Sequence, residues 1–308
     1  MDEKIPILCL AGATGTGKTA FALALAERFN CGIINFDSRQ IYKHIPLVTA
    51  QPTPEEQAQA PHHLYGFLDL DRRCDAGGYA ALAAATISEV RQKGLLPLLV
   101  GGTGLYLRAL LEGIAPIPDI PPAIRREVTL AWTERGAETM YQRLAQVDPK
   151  YASKIHPQDR QRITRALEVH QATGQAFSEW HKKTVSYGSY HSLKIGMDIP
   201  LKDLAPRLAV RIDQMIRMGA VQEVVRAWEI CPQPNAPAFS GIGCREILEH
   251  LHQGLSMEEA RTKWLQSTRA YAKRQLTWFR KEKDMHWFRT GEGEMMLETV
   301  AAWLGSGP

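Results

Sequence analysis

Apolar residues come in short unbroken runs separated by helix-spaced stretches. Residues 5–11 and 95–100 are continuous apolar runs, 32–36 is a short apolar strand, and 192–199 is a fourth strand-like run. Their length and weak alternation predict strands buried on both faces of a parallel sheet. Residues 19–29, 79–93 and 105–111 carry helical spacing instead, with Leu82, Ile87 and Val90 on one face and Gly32 and Gly94 as stop signals. Three strand-helix units in succession predict an α/β fold, a three-layer P-loop parallel sheet core. Residues 46–78, rich in Pro and Gly, read as irregular connection with one helical turn near Glu55. The texture changes at Pro116, Pro118, Pro121 and Pro122, a stiff linker. From there to about residue 180 the pattern is helical with no strand-like run, broken at 148–149 and 156–157 and continuous over 161–172. Beyond the fourth strand, 201–218 and 221–228 read as helices, 231–243 as a loop, and the chain from 244 onward as mostly helix. The expected division is a core of residues 1–115 and 190–308 and an all-helical insertion of 116–189.

The candidate chemistry sits at the carboxyl ends of these strands. Gly12-Ala13-Thr14-Gly15-Thr16-Gly17-Lys18-Thr19 lies between the first strand and the first helix, the context in which such a loop cradles phosphate. Its glycines let backbone N–H groups turn inward, and the helix N-terminus adds its dipole. Lys18 supplies a full charge, and the Thr19 hydroxyl is suited to Mg²⁺. Which phosphate compound binds is left open by the loop itself. Asp37, at the tip of the next strand, is read as a magnesium-side carboxylate, as a general base for a nucleophile beside the bound phosphate, or as a helix-capping or loop-closing residue. Thr103, in Gly101-Gly102-Thr103-Gly104 at the third strand's tip, could bond a ligand beside Asp37. Arg207 and Arg211, four apart on one helix face, suit a diphosphate.

Charge and cysteine content narrow the class. The 308 residues carry a formal charge of only +4, but its distribution is uneven. Residues 261–289 hold nine Lys/Arg against two acids, a local balance of +7, with six aromatics interleaved. Arg162 and Arg165 make a second basic patch on the insertion. Cations beside aromatics are the pattern of a nucleic-acid surface, although Trp264, Tyr271 and Trp278, at helical spacing, fit a core better. The five cysteines show neither disulfide nor zinc spacing. No secretory leader pattern and no membrane-length apolar run is present. A cytoplasmic protein, with no membrane partner, is expected.

These stretches resemble the bacterial tRNA dimethylallyltransferases, also called tRNA isopentenyltransferases. The resemblance spans essentially residues 5–289. It is carried by the loop at 12–19, Asp37-Ser38-Arg39-Gln40-Ile41-Tyr42-Lys43, Thr49-Ala50-Gln51-Pro52, Pro61-His62-His63-Leu64, the stretch 98–106, Arg162 with Arg165-Ala166-Leu167-Glu168-Val169, Gly241-Ile242-Gly243, and Ala272-Lys273-Arg274-Gln275-Leu276-Thr277-Trp278-Phe279. It implies transfer of a dimethylallyl group from dimethylallyl diphosphate to N6 of adenosine 37, just 3′ of the anticodon. By the same resemblance, the loop holds the donor diphosphate with Mg²⁺ on Thr19. Asp37, Thr103 and Arg211 are implied catalytic residues, as base, neighbour of the target base and diphosphate partner. Asp37, Ser38, Arg39, Gln40, Thr103, Arg125, Gln161, Arg162, Arg165, Lys273 and Arg274 are implied to meet the tRNA anticodon stem-loop, with the enzyme acting as a monomer. Cys244 departs from the Tyr usual after Gly-Ile-Gly. The competing expectations are an isopentenyltransferase acting on free AMP, ADP or ATP, and a P-loop nucleotide kinase.

Overall fold

The structure, a computed structural model, describes residues 4–306. In chain order the elements are β1 (Ile5–Gly12), α1 (Lys18–Phe29), β2 (Cys31–Asn35), α2 (Pro54–Gln59), β3 (His62–His63), α3 (Ala76–Gln92), β4 (Leu96–Gly101) and α4 (Gly104–Glu112). Next come α5 (Pro122–Val147), α6 (Pro149–Ala152), α7 (Arg160–Thr173) and α8 (Phe177–Trp180). The chain then returns through β5 (Tyr190–Asp198), α9 (Leu201–Arg217), α10 (Ala220–Ile230), a short 3₁₀ turn (Pro237–Ser240), α11 (Cys244–Gln253), α12 (Met257–Phe279), β6 (Met285–Arg289) and α13 (Gly293–Gly305). Two compact units result, one from Met1–Leu111 and Tyr187–Pro308, the other from Glu112–Ser186.

The first unit holds a six-stranded sheet in the order β3-β2-β4-β1-β5-β6, every pairing parallel. Ile7, Leu8, Cys9 and Leu10 of β1 are fully buried, as a central parallel strand requires. Leu8 and Leu10 join Ala22 and Leu25 of α1 and Met296 and Val300 of α13 in one cluster. On the opposite face α3 meets β2 and β4, and α12 meets β1. The core is therefore three-layered, with helices on both faces.

Local chemistry explains where the elements differ from expectation. Asn30, in the left-handed region at φ 51, ends α1 in the role that spacing assigned to Gly32, which instead lies inside β2. β6 falls where helix was expected. Only Phe288 of its five residues is buried, so an edge strand shows none of the apolar continuity of a central one. The extended His62-His63 pair is itself a strand, in register with Ile33 and Ile34.

The second unit has its own apolar cluster, in which Val128, Met140, Leu144, Ile163, Leu167 and Phe177 are buried together. Buried Asp148 joins its short elements, accepting N–H of Tyr151 at 2.9 Å and of Ser178 at 2.7 Å. Gly136, φ 74, breaks α5 in the middle. Among the described residues, no helix is long and apolar enough to cross a membrane.

Candidate active site

The loop between β1 and α1 folds as its glycines dictate. Gly15 and Gly17 adopt φ 82 and 87, a region residues with a Cβ rarely enter. Lys18 Nζ donates to the carbonyls of Gly12 (3.0 Å) and Ala13 (2.8 Å), and Thr16 Oγ1 to Ala13 (2.9 Å). These bonds hold the loop in a ring. Burial brings the Lys18 amine down to about 8; Asp37 pulls it up and Arg211 pushes it down further. Leu204 and Leu208, one turn apart on the buried stripe of α9, press against Gly15 and leave no room there for a side chain. The next turn then delivers Arg211 into the same space. Burial holds its guanidinium below the ordinary value, against the pull of Glu56 and Asp37.

Asp37 follows β2 and is held by a residue that sequence reasoning did not single out. Fully buried Asn35 accepts the Asp37 N–H through Oδ1 at 2.8 Å, and its Nδ2 donates to the carbonyls of Asp37 (3.1 Å) and Leu64 (2.9 Å). Asp37 Oδ1 in turn accepts the Arg39 N–H at 2.9 Å. At the tip of β4, Thr103 Oγ1 accepts the Ser38 N–H at 2.9 Å and donates to Ser38 Oγ at 3.2 Å. Tyr65 and Tyr271 border this carboxylate. Burial first, and Asp37 second, raise both phenols above their usual range.

The groups converge on one cavity of about 560 Å³ within the first unit. Thr14, Gly15, Gly17, Lys18 and Thr19 line it together with Asp37 and Arg211. Val48, Ile212, Met215, Ile242 and Trp264 give it an apolar wall, and Arg39, Gln40, Arg245 and Arg274 also border it. Buried acids fix that wall. Glu223 accepts the N–H groups of Leu47 and Val48, both at 2.8 Å, and Glu246 accepts the Gly243 N–H at 2.7 Å. Cys244 is fully buried beside these acids, its thiol pushed up to about 12 by burial, so it offers no nucleophile.

The remaining expected residues are distributed unevenly. Gly12, Ala13 and Thr16 brace the loop, while Ser38 and Thr103 brace each other beside Asp37. Arg207 is exposed, so the pair of guanidinium groups read from its spacing with Arg211 does not form at the cavity. Lys273 lines a separate groove with Lys202 and Arg269, on the far side of Leu204 and Leu208. Arg125, Gln161, Arg162 and Arg165 belong to the second unit, where Arg162 pairs with Asp159 and Arg165 with Glu168, each at 3.5 Å, and Arg125 approaches Asp119 at 3.8 Å.

A glycine-rich loop of the phosphate-cradling pattern, facing a strand-tip carboxylate across a half-apolar cavity, defines an α/β protein whose pocket suits group transfer. A family profile described as IPP transferase matches residues 40–282. A tRNA dimethylallyltransferase of Nitratidesulfovibrio vulgaris is 50% identical over the whole of both chains, and one of Maridesulfovibrio salexigens is 47% identical over 99% of each. Among solved structures, the tRNA isopentenylpyrophosphate transferase of Bacillus halodurans superposes with a TM-score of 0.73 at 30% identity, covering 98% of each chain. A eukaryotic dimethylallyltransferase acting on tRNA gives 0.82 at 25% identity, covering 99% of this chain and 81% of that one. The chain belongs to the IPP transferase family.

Proposed function

We propose that this protein is a tRNA dimethylallyltransferase, moving a dimethylallyl group from dimethylallyl diphosphate to N6 of adenosine 37 in tRNA. The observation that carries this reading is the sharing of one cavity by Lys18, Arg211 and Asp37. The loop amides, Lys18 and Arg211 bind the donor diphosphate, and the wall from Val48 to Trp264 shelters the five-carbon tail from water. Thr19, an oxygen donor on the loop side of the cavity, fits Mg²⁺, an ion that keeps most of its ligands as water and substrate phosphate. When bound, Mg²⁺ supplies further neutralisation of diphosphate charge.

The exocyclic amine of adenine is a weak nucleophile because its lone pair is delocalised into the ring. As the N6–carbon bond forms, the allylic C–O bond breaks and its electron pair leaves with the diphosphate, while the N6 proton passes to the Asp37 carboxylate. Charge on the leaving group grows in this step, so preorganised N–H groups and cations favour it. A stacked base cannot enter such a cavity, and the target nucleotide must swing out of the anticodon loop at a cost of a few kcal/mol. Arg39, Gln40 and Arg274 at the cavity, with Ser38 and Thr103 beside Asp37, receive it. Lys273 and the insertion's Arg125, Gln161, Arg162 and Arg165 bind the anticodon stem-loop. We further propose that the enzyme acts as a monomer, in the cytoplasm where tRNA resides.

The test is mass spectrometry of adenosine recovered after incubation with unmodified tRNA and dimethylallyl diphosphate. One dimethylallyl increment at adenosine 37 is expected. Equal or greater transfer to free AMP or ADP would make this an adenylate enzyme, and phosphoryl transfer without prenylation would make it a kinase.

A further inference from the structure

The phosphate loop does not stand alone: α12 reaches into it. Gln275, only 4% exposed, accepts the backbone N–H of Thr14 through Oε1 at 2.9 Å and donates through Nε2 to the Gly102 carbonyl at 3.0 Å. Both contacts use the correct sense, so a flipped amide would set donor against donor and acceptor against acceptor. Room for this side chain is built in, since a Cβ on Gly102 would collide with Nε2. Thr14 lines the cavity, yet its N–H is already engaged. A phosphate oxygen could take that N–H only by displacing a buried amide, which would also strip the Gly102 carbonyl of its partner.

We infer that Gln275 is a specificity residue that closes the Thr14 end of the cradle and limits it to two phosphates. The inference rests on the cradle being a diphosphate seat and goes further by naming what excludes a third phosphate. Charge alone argues the other way. Tripolyphosphate carries more negative charge toward Lys18 and Arg211, and an unobstructed cradle would prefer it. Selection of the shorter anion therefore needs an obstruction, and Gln275 supplies one without introducing a charge.

The experiment is calorimetric titration of the full-length protein with inorganic diphosphate and inorganic tripolyphosphate, at fixed pH and salt. The wild type should bind diphosphate about tenfold or more tightly, the worth of one well-made hydrogen bond to a charged group. Gln275→Ala, which frees the Thr14 N–H and opens the space, should bring the ratio to one or below. Gln275→Asn, too short to span both partners, should fall between. Thermal melting of each variant verifies that it is folded. A wild-type ratio of one, or one favouring tripolyphosphate, overturns the inference whether or not the variants fold, as does an unchanged ratio in the folded variants. If neither anion binds, the diphosphate-seat reading falls together with it. If both bind equally, that reading stands and only the role of Gln275 is lost.

Discussion

The cavity of the core unit and the basic surface of the insertion both carry polar side chains, but they are built by opposite means. Around the cavity each key group is pinned by a buried partner: Asp37 by Asn35 two residues before it, and Thr14 by Gln275 and the loop at Leu47 and Val48 by Glu223, the last two partners coming from distant parts of the chain. On the insertion, Arg162 and Arg165 are paired with neighbours three residues away, at 3.5 Å and partly in water. Buried, fully satisfied networks fix geometry, whereas exposed pairs contribute little to stability and leave the cation free to exchange partners. The first arrangement suits bond-making, and the second suits an anionic backbone whose position varies from one substrate to the next.

The sharpest way to break this contrast is at Asp37. Asp37→Asn should lower prenyl transfer by roughly 10²–10⁴-fold while tRNA affinity measured by filter binding stays nearly constant; a parallel loss of binding would make the carboxylate structural. Asn35→Leu comes next. It leaves the Asp37 N–H and the Leu64 carbonyl without the partners they have in the fold, while the Asp37 carbonyl keeps the Gln40 N–H, which should cost about 1–3 kcal/mol of stability in urea unfolding and lower kcat more than it raises KM for tRNA. Equal effects on both constants would argue that Asn35 serves the fold alone.

Lys18 gives an intermediate, pH-dependent effect. Its folded value of about 8 lies below the ordinary 10.5, so the free protein loses this charge as pH rises through about 8. Diphosphate affinity should then fall by up to about tenfold per pH unit above 8, and a Lys18→Met variant should lack that decline. For stability the sign is reversed. Between about 8 and 10.5 the unfolded chain binds the extra proton, so this group adds stability as pH rises through that window. The smallest effect is expected on the insertion: Arg162→Gln should weaken tRNA binding modestly and reduce the salt slope by about one, leaving the chemical step unchanged in single turnover.

How much of this could be read from the residues follows the same division. The loop at 12–19 was legible because its glycines and lysine lie in one contiguous stretch, and Asp37 because a strand tip predicts its surroundings. The core's three layers followed from unbroken apolar runs such as 95–100. Gln275 appears in the sequence as one polar residue in a basic helix, and its two partners lie 261 and 173 positions away. Asn35 sits inside an apolar strand with nothing local to mark it. Helical spacing put Arg207 and Arg211 on one face, but the leucine stripe at 204 and 208 decides which of them turns inward. The +7 balance of 261–289 is diluted in the fold by Asp213 on Arg261, Glu249 on Lys263 and Asp198 on Arg280, none of them near in sequence.

The sheet ends on two short strands, β3 with two residues and β6 with five. An outer strand is where a foreign chain can extend the hydrogen-bond ladder, and aggregation is commonly templated there. On the β3 side that template is barely one pleat long. On the other side it carries His286 and Arg289, both exposed, which disfavour a stacked neighbour. A fully parallel sheet, slow to assemble because its pairings are remote in sequence, thereby offers newly made copies little purchase on one another.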